Sequence, residues 1–276
     1  MPDPMTAEAI SAIMPPLREA MREAAGLALP YFRLGTNTSA RTWSKAGGSP
    51  VTEADVEVDT FLKIRLSQIV PEAAWLSEET ADDPARLDSG LVWIVDPIDG
   101  TRAFLSGHPD WSIAVALLAA GEPVIGFVHA PAGGKDYEAR KGLGATCNGT
   151  PIAVSRQAGL PGARVTGPKP MFDRLGRGVS AEGREADFIR IDRVPSLALR
   201  VARVAEGSID VGLISSNARD WDLAAADLVL REAGGSVSDM AGRPTRYNRA
   251  DPVHGELIAV PHGLRDPVIA GWNRGA

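Results

Sequence analysis

The fold is decided by the stretch Trp93-Ile94-Val95-Asp96-Pro97-Ile98-Asp99-Gly100-Thr101-Arg102-Ala103-Phe104, in which an apolar strand runs into two acids, a glycine and a hydroxyl. The β-branched and aromatic residues from Leu91 to Val95 predict a buried strand. Proline cannot donate to a strand ladder, so we expect this strand to end before Pro97. The turn at Pro97-Ile98 can then aim both carboxylates at one point, next to free backbone N–H groups at Gly100-Thr101.

This order of residues has two interpretations. Carboxylates beside a cradle for an anion indicate a metal ion that bridges the protein and a phosphate. However, Asp-Pro and Asp-Gly are also ordinary turn dipeptides, and an Asx-type turn without any ligand is the plain alternative. The motif alone does not decide between the metal site and the turn without a ligand.

The composition limits the possible functions. A chain of 276 residues with 44% hydrophobic and 23% charged residues is globular and forms one large or two modest domains. Its net charge of -6 argues against a nucleic-acid-binding surface. The single cysteine, Cys147, excludes an internal disulfide and indicates a cytoplasmic protein. The N-terminus does not resemble a signal peptide, and no apolar run is long enough to predict a membrane span.

The first half of the chain predicts helices followed by an antiparallel sheet. An amphipathic helix covers about Thr6 to Phe32, and a second helix with an acidic first turn follows Val51-Thr52-Glu53-Ala54-Asp55. A short strand from Ala73 to Leu76 ends near Glu78, which would lie close to Asp96 if the two strands were neighbours. Three further strands are predicted at Ser112 to Ala119, Val124 to His129 and Tyr137 to Arg140.

The second half predicts alternating strands and helices. We therefore divide the chain into an N-terminal α+β half, residues 1–152, and a C-terminal α/β half, residues 153–276. Strands are predicted at Ala163 to Thr166, Asp187 to Ile191, Ile209 to Ile214 and Leu257 to Val260, with helices at Ser196 to Glu206 and Leu223 to Ala233. Asp222 would lie at or near the N-cap of the last of these helices, where capping is its plain structural role.

Four acids thus lie at the ends of predicted elements, where loops and helix starts commonly build sites. They are Glu78, Asp96, Asp99 and Asp222. Hard oxygen ligands of this kind suit Mg²⁺, and the Pro97-Ile98 peptide carbonyl would be a further oxygen ligand of the same type.

Three blocks of sequence resemble the inositol monophosphatase superfamily of Mg²⁺-dependent, Li⁺-sensitive phosphomonoesterases. They are Leu76-Ser77-Glu78-Glu79, the Trp93 to Thr101 stretch, and Trp221-Asp222-Leu223-Ala224-Ala225-Ala226 with the following Glu232-Ala233-Gly234-Gly235. Their order and spacing match over roughly residues 6 to 270. The resemblance implies a layered αβαβα sandwich of the inositol monophosphatase/fructose-1,6-bisphosphatase type, and a homodimer.

The resemblance also implies roles for individual residues. The metal ligands would be Glu78, Asp96, the Ile98 carbonyl, Asp99 and Asp222, which hold two or three Mg²⁺ ions. Mn²⁺ would be an alternative, and Li⁺ and Ca²⁺ would inhibit. Asp99, Gly100 and Thr101 would hold the substrate phosphate, while Asp55, Thr101 and Glu78 would serve catalysis by a metal-activated water, with Asp55 also a ligand of a third metal. In-line attack of this kind requires no cysteine or histidine nucleophile.

Departures from the family pattern bear on the substrate, a small phosphorylated metabolite. Enzymes that prefer inositol phosphates carry a glutamate about seven residues before the last metal aspartate, whereas this chain has Leu213-Ile214-Ser215-Ser216 there. Arg102-Ala103-Phe104 is closer to bisphosphate nucleotidases and histidinol phosphatases, and Ser196-Leu197 and Arg243-Pro244-Thr245-Arg246-Tyr247-Asn248 resemble bacterial 3'(2'),5'-bisphosphate nucleotidases. The resemblance therefore favours hydrolysis of adenosine 3',5'-bisphosphate to AMP and phosphate.

Other functions stay open at this point. Inositol 1-phosphate and histidinol phosphate are alternative substrates, and a non-catalytic protein that binds a phosphate ligand is a third alternative, because fold alone does not settle function. Candidate contacts for a second phosphate are Arg102, Lys169, Arg200 and Arg219, although solvated surface charge is the favoured interpretation of the last three.

Overall fold

The computed structural model describes residues 5–45, 48–180 and 187–276. These ranges contain seven α-helices and fourteen strands. The helices are α1 (Ala7–Ala28), α2 (Glu53–Ile69), α3 (Thr101–Ser106), α4 (Lys169–Val179), α5 (Leu197–Ala205), α6 (Asp220–Glu232) and α7 (Arg265–Arg274). The strands are β1 (Thr42–Ser44), β2 (Pro50–Thr52), β3 (Ala74–Ser77), β4 (Leu91–Asp99), β5 (Ser112–Ala119), β6 (Glu122–Ala130), β7 (Lys135–Arg140), β8 (Ala145–Cys147), β9 (Thr150–Pro151), β10 (Arg164–Thr166), β11 (Ile189–Arg190), β12 (Val211–Ile214), β13 (Gly235–Asp239) and β14 (Leu257–Pro261).

The larger sheet has seven strands in the order β3-β4-β5-β6-β7-β8-β9. β3 and β4 are parallel, with Ser77 opposite Val95, and the later pairs are antiparallel. The pairing of β5, β6 and β7 confirms the predicted antiparallel sheet. Because β3 and β4 are neighbours, Glu78 lies beside the end of β4, and its backbone N–H donates to the carbonyl of Val95 at 3.3 Å.

The smaller sheet has five strands in the order β11-β10-β12-β14-β13. β10 is parallel to β11 and β12, while β14 is antiparallel to β12 and β13. The strands predicted in the second half correspond to β10, β11, β12 and β14. The hairpin of β1 and β2, helix α4 and strand β13 were not predicted. Strands β1 and β2 have only three residues each, and α4 contains Gly176 and Gly178, which are poor helix formers.

The elements stack in five layers around three apolar cores. One core joins α1 and α2 to one face of the larger sheet, and a second joins the other face to α5, α6 and the smaller sheet. The third core joins the outer face of the smaller sheet to α4 and α7. Side chains of a strand alternate between its two faces, so Trp93 and Val95 pack in the first core and Ile94 in the second. The predicted αβαβα sandwich is confirmed.

The prediction that the strand ends before Pro97 is wrong. Strand β4 continues to Asp99, which lies opposite Ser112 of β5. The register of this pairing shifts between Asp96 and Asp99. Pro97 therefore lies in an irregular stretch of the ladder where its missing N–H is tolerated, as in a β-bulge.

Helix α2 begins with a reciprocal cap. The Thr52 hydroxyl accepts from the backbone N–H of Asp55 at 3.3 Å, and the Asp55 carboxylate accepts from the backbone N–H of Thr52 at 2.7 Å. Such a capping box satisfies two helix-end donors and fixes both side chains. The hairpin of β1 and β2 leads directly into this cap and so holds Asp55 in a buried position.

The predicted boundary between the halves falls one residue after β9. The middle core contains residues from both sides of this boundary, among them Ile94 of β4 and Leu223 of α6. The division at residue 152 stays a prediction. Within the described ranges, no helix has the length and apolar character needed to cross a membrane.

Candidate active site

A cavity of about 320 Å³ lies at the end of β4. Its walls come from both halves of the chain, because β4, α3, α6 and the segment before α5 all contribute. The lining residues are Ser49, Pro50, Glu78, Asp96, Asp99, Gly100, Thr101, Arg102, Arg193, Pro195 and Asp222. The structure thus brings the four acids of the predicted metal site to one cavity.

Three of these acids form a tight cluster. Asp96, Asp99 and Asp222 each offer a carboxylate oxygen, and these oxygens all lie within 4.8 Å of one another. Asp96 and Asp99 are buried and come from the end of β4. Asp222 is half-buried at the third position of α6, in the first turn and near the N-cap as predicted, and accepts from the backbone N–H of the N-cap residue Arg219 at 2.7 Å.

Burial and mutual repulsion disfavour ionisation of the cluster. Burial raises the pKa of Asp96 well above its ordinary value, and the charges of Glu78, Asp99 and Asp222 raise it further. The pKa of Asp222 is raised well above its ordinary value by burial and then by Asp99. Within the described ranges, no cationic side chain forms an ion pair with any of the three clustered acids.

The C-terminal half holds Asp99 in place. Its carboxylate accepts from the Ser196 hydroxyl, from the backbone N–H of Ala198 at 2.7 Å and from that of Leu197 at 3.1 Å. Burial raises the pKa of Asp99 to about 6, and these three hydrogen bonds oppose the rise. Asp99 is therefore fixed by the first turn of α5 while its oxygens still reach the cluster.

Thr101 and Asp55 form a pair next to the cluster. The Thr101 hydroxyl lies 3.1 Å from the carbonyl of Ile98 and 3.4 Å from Oδ1 of Asp55. The other oxygen, Oδ2, accepts from the backbone N–H and the hydroxyl of Thr52. Burial raises the pKa of Asp55 to about 6, although the bonds from Thr52 lower it. Asp55 can therefore exchange a proton near neutral pH.

Glu78 lies in the same cavity but outside the tight cluster. Its Oε1 is 2.8 Å from Nζ of Lys45, which also lies 2.6 Å from Oε1 of Glu79. Burial raises the pKa of Glu79 to about 7, against the lowering effect of Lys45. The positive charge of Lys45 thus offsets the negative charges of Glu78 and Glu79 at this edge of the cavity.

Gly100 closes the turn between β4 and α3. Its φ of 88° lies in the left-handed region, which strains other residues. A Cβ atom there would also lie 3.2 Å from the Asp110 carbonyl oxygen and from the Cα of Ser196. Only glycine allows this turn to pack against the loop before α5.

The four cationic candidates have different positions. Arg102 lines the cavity. Lys169 lies outside it, at the start of α4, and pairs with Asp173. Arg219 is exposed, is not among the lining residues, and lies with its guanidinium carbon 5.4 Å from the ring centre of Trp221.

The prediction that Arg200 contacts a second phosphate is wrong. Arg200 is 3% exposed, and its guanidinium donates to the carbonyl of Val194 at 2.7 Å and to that of Leu213 at 3.0 Å. It lies on the face of α5 that packs on β12, where backbone carbonyls are its partners.

Sequence reasoning missed several residues of the cavity. Arg193 lines it from the segment before α5, together with Pro195, and Ser49 and Pro50 line it from the start of β2. The position of Arg193, three residues before Ser196, was the available signal, because the Ser196-Leu197 dipeptide was already singled out.

The family of the chain follows from its similarity to known proteins. The sequence profile of the inositol monophosphatase family matches residues 10–270. The chain belongs to the inositol monophosphatase family. Members of this family are phosphatases, and the chain is accordingly a hydrolase of that class.

Individual relatives carry different activities. The chain is 34% identical to an inositol-1-monophosphatase of Mesorhizobium japonicum, over 82% of this chain and 86% of the relative. It is 32% identical to a histidinol-phosphatase of Chlorobaculum parvum, over 82% and 85%, and 29% identical to the 3'(2'),5'-bisphosphate nucleotidase CysQ of Aggregatibacter actinomycetemcomitans, over 75% and 78%. Family membership therefore leaves the substrate undetermined.

Solved structures agree on the fold of the inositol monophosphatase family. The extragenic suppressor protein suhB from Bartonella henselae matches with a TM-score of 0.80 and 28% identity. The match covers 96% of this chain and all of that structure. The layered arrangement around the cavity is thus shared with this family.

Proposed function

We propose that this chain is a Mg²⁺-dependent phosphomonoesterase whose active site is the cavity at the end of β4. The observation that carries the proposal is the cluster of Asp96, Asp99 and Asp222, with oxygens within 4.8 Å of one another, next to the pair formed by Thr101 and Asp55. A buried cluster of acids without a cationic partner in the described ranges is costly unless a cation binds it.

The donor set fits Mg²⁺. Mg²⁺ prefers hard oxygen ligands and is commonly held by a few carboxylates together with substrate phosphate oxygens and water. Asp96, Asp99, Asp222, Glu78 and the Ile98 carbonyl would hold such ions. When bound, Mg²⁺ supplies Lewis-acid stabilisation of the charge on phosphoryl transfer and lowers the pKa of water.

The phosphate would bind at the start of α3. Gly100 and Thr101 are the N-cap and first residue of that helix, so their backbone N–H groups precede its internal hydrogen bonds and point outward. Asp99, immediately before them, is one of the residues that would hold a metal ion. A phosphate bound at the Gly100 and Thr101 N–H groups would lie next to the Thr101 hydroxyl.

Thr101 and Asp55 would orient and deprotonate the attacking water. The Thr101 hydroxyl can donate to Asp55 and accept from a water, which aims the water's lone pair at phosphorus. Asp55 keeps Oδ2 bound to Thr52, and its Oδ1 accepts from the Thr101 hydroxyl. Oδ1 would receive the Thr101 proton as the water passes its own proton to the Thr101 oxygen, and the pKa of this carboxyl is about 6. No covalent intermediate is required.

The substrate that we propose is adenosine 3',5'-bisphosphate, which would give AMP and phosphate. Arg102 lies in the cavity, as binding of a second phosphate would require. Ser215 and Ser216 are exposed at the position where inositol-specific enzymes carry an acid. The homodimer and the cytoplasmic location expected from the sequence also stay predictions.

One assay tests the proposal and its alternatives. Phosphate release is measured from adenosine 3',5'-bisphosphate, inositol 1-phosphate, histidinol phosphate and fructose 1,6-bisphosphate, each with Mg²⁺ and with EDTA. We expect Mg²⁺-dependent release that is fastest from the nucleotide. Preference for inositol or histidinol phosphate would overturn the choice of substrate, and no release from any ester would favour a non-catalytic phosphate-binding protein.

A further inference from the structure

We propose that Arg193 and Arg102 form an anion subsite in the cavity, which binds a second phosphate on the substrate. This inference rests on the proposed phosphomonoesterase function and narrows its substrate class to bisphosphates. Arg193 is the new element, since it takes the place of Lys169 and Arg200 among the candidate phosphate contacts.

Both arginines are available for a ligand. Arg193 and Arg102 are exposed and line the same cavity as the carboxylate cluster. Neither guanidinium has an ion pair or hydrogen bond within residues 5–45, 48–180 and 187–276. Their charges are thus not used to neutralise the acids beside them, and the cavity offers both carboxylates for cations and free guanidinium groups for an anion.

The segment that carries Arg193 is held rigidly. The next residue, Val194, is 2% exposed, and its carbonyl accepts from Nη2 of Arg200 at 2.7 Å. Two residues further on, Ser196 donates through its backbone to the Asp110 carbonyl and through its hydroxyl to Asp99. A side chain on such a fixed backbone loses less entropy on binding than one on a free loop.

Arg200 acts here as a positioning residue. It carries a buried positive charge whose partners are backbone carbonyls, and its pKa is lowered to about 10, first by burial and then by the charge of Arg193. An anion bound at Arg193 would offset the repulsion between these two guanidinium groups. The arrangement therefore favours an anionic ligand at this wall of the cavity.

The positive charges of Arg193 and Arg102 favour the binding of some candidate substrates over others. A guanidinium binds phosphate through two parallel hydrogen bonds, and such charge-assisted bonds are stronger than bonds between neutral groups. The second phosphate of adenosine 3',5'-bisphosphate would gain from this contact. The remaining hydroxyls of inositol 1-phosphate are neutral, and the ammonium group of histidinol phosphate would be repelled.

The kinetic test compares one nucleotide with and without the second phosphate. The specificity ratio is kcat/KM for adenosine 3',5'-bisphosphate divided by kcat/KM for adenosine 3'-monophosphate. We expect Arg193→Gln to lower this ratio by about 10- to 100-fold, mainly through KM for the bisphosphate, because a hydrogen bond to a charged group is lost. The specificity ratio of Arg193→Lys should lie between those of Arg193→Gln and the wild type.

Arg190→Gln is the matched control. It removes the same charge three residues away, but Arg190 lies outside the cavity, with its guanidinium carbon 4.8 Å from the ring centre of Phe172. Its specificity ratio should equal that of the wild type. An unchanged ratio in Arg193→Gln, or an equal fall in both arginine variants, would overturn the anion subsite.

A binding measurement separates the subsite from the proposed function. Calorimetry in EDTA compares AMP with adenosine, so that turnover and bound metal play no part. We expect the wild type to bind AMP more tightly than adenosine and Arg193→Gln to lose this difference. Equal affinity of the wild type for AMP and adenosine would contradict the anion subsite even if phosphate release were observed. Tighter binding of AMP without any turnover would instead contradict the proposed phosphomonoesterase activity and leave the subsite intact.

Discussion

Replacing Asp96 with asparagine should abolish turnover and at the same time stabilise the metal-free protein. Asp96 is 1% exposed and has no ion-pair partner among the described residues. The hydrogen bond that its carboxylate accepts, from the backbone N–H of Ile98 at 3.1 Å, can equally be accepted by the asparagine amide oxygen. The substitution therefore removes a charge while it keeps the shape and the hydrogen bond.

The expected size of the effect follows from the spacing of the cluster. Two like charges 4.8 Å apart repel by about 3.5 kcal/mol at an effective dielectric constant of about 20. Asp96 faces two such charges, on Asp99 and Asp222, but proton uptake by the cluster relieves part of the repulsion. We therefore expect Asp96→Asn to relieve the repulsion of one pair of charges, about 3 kcal/mol. This gain raises Tm by about 6 to 12 °C in a chain of this size.

The pH dependence of this gain has a definite sign. Burial and like charges raise the pKa of Asp96, so the repulsive penalty is absent below the ordinary pKa of a carboxyl group and grows as pH rises through the raised pKa. The advantage of Asp96→Asn should therefore be large at pH 7.5 and should shrink toward pH 4.5.

Thermal unfolding in EDTA compares the wild type, Asp96→Asn and a control variant. Asp227→Asn is the control, because Asp227 is equally buried but lies 2.6 Å from Nη2 of Arg231 and accepts from the hydroxyl of Thr245. Because the Arg231 side chain is 28% exposed, losing this ion pair should destabilise the protein by about 1.5 to 3 kcal/mol. Saturating Mg²⁺ should raise Tm of the wild type more than that of Asp96→Asn. A variant less stable than the wild type in EDTA at pH 7.5, or an advantage that persists unchanged at pH 4.5, would refute the reasoning.

Further outcomes are expected from the same site. EDTA should remove phosphate release and added Mg²⁺ should restore it, and full turnover by a dialysed, chelated sample would contradict the metal site. Thr101→Val should lower kcat by about 10²- to 10⁴-fold while Thr101→Ser keeps most of it, because the hydroxyl is the working group, and equal losses in the two variants would exclude that role. At subsaturating Mg²⁺, kcat/KM should rise between about pH 5 and pH 7, since the pKa values of Asp55 and Asp99 are about 6 and their ionised forms are needed. A flat profile over that range would count against this assignment.

The acids of the site could be predicted because they follow strong local signals. Asp96 and Asp99 end an apolar strand, Glu78 follows the strand next to it, and Asp222 lies in the first turn of a helix rich in alanine and leucine. Each signal depends on a few neighbouring residues. The resemblance of these blocks to a known family then gave the fold that joins them.

The basic residues could not be placed in the same way. Arg193 and Arg200 lie seven residues apart in similar sequence, yet one lines the cavity and the other is buried. Arg200 lies on the face of α5 that packs on the smaller sheet, whereas Arg193 precedes the helix, and no local pattern specifies how closely α5 packs. Likewise, the contact of Lys45 with Glu78 joins residues 33 positions apart, with β2, α2 and β3 between them in the chain.

The contacts of Asp99 explain why both halves of the chain are needed for the site. Burial alone would raise the pKa of all three clustered acids, but α5 offers Asp99 two backbone N–H groups and the Ser196 hydroxyl. These donors stabilise the ionised form, so the pKa of Asp99 stays at about 6 while that of Asp96 is raised well above its ordinary value. Asp99 accepts from three donors and Asp96 from the single backbone N–H of Ile98, so Asp99 should ionise at a lower pH than Asp96. The C-terminal half thus contributes more than the ligand Asp222, because its helix α5 sets which carboxylate of β4 is charged first.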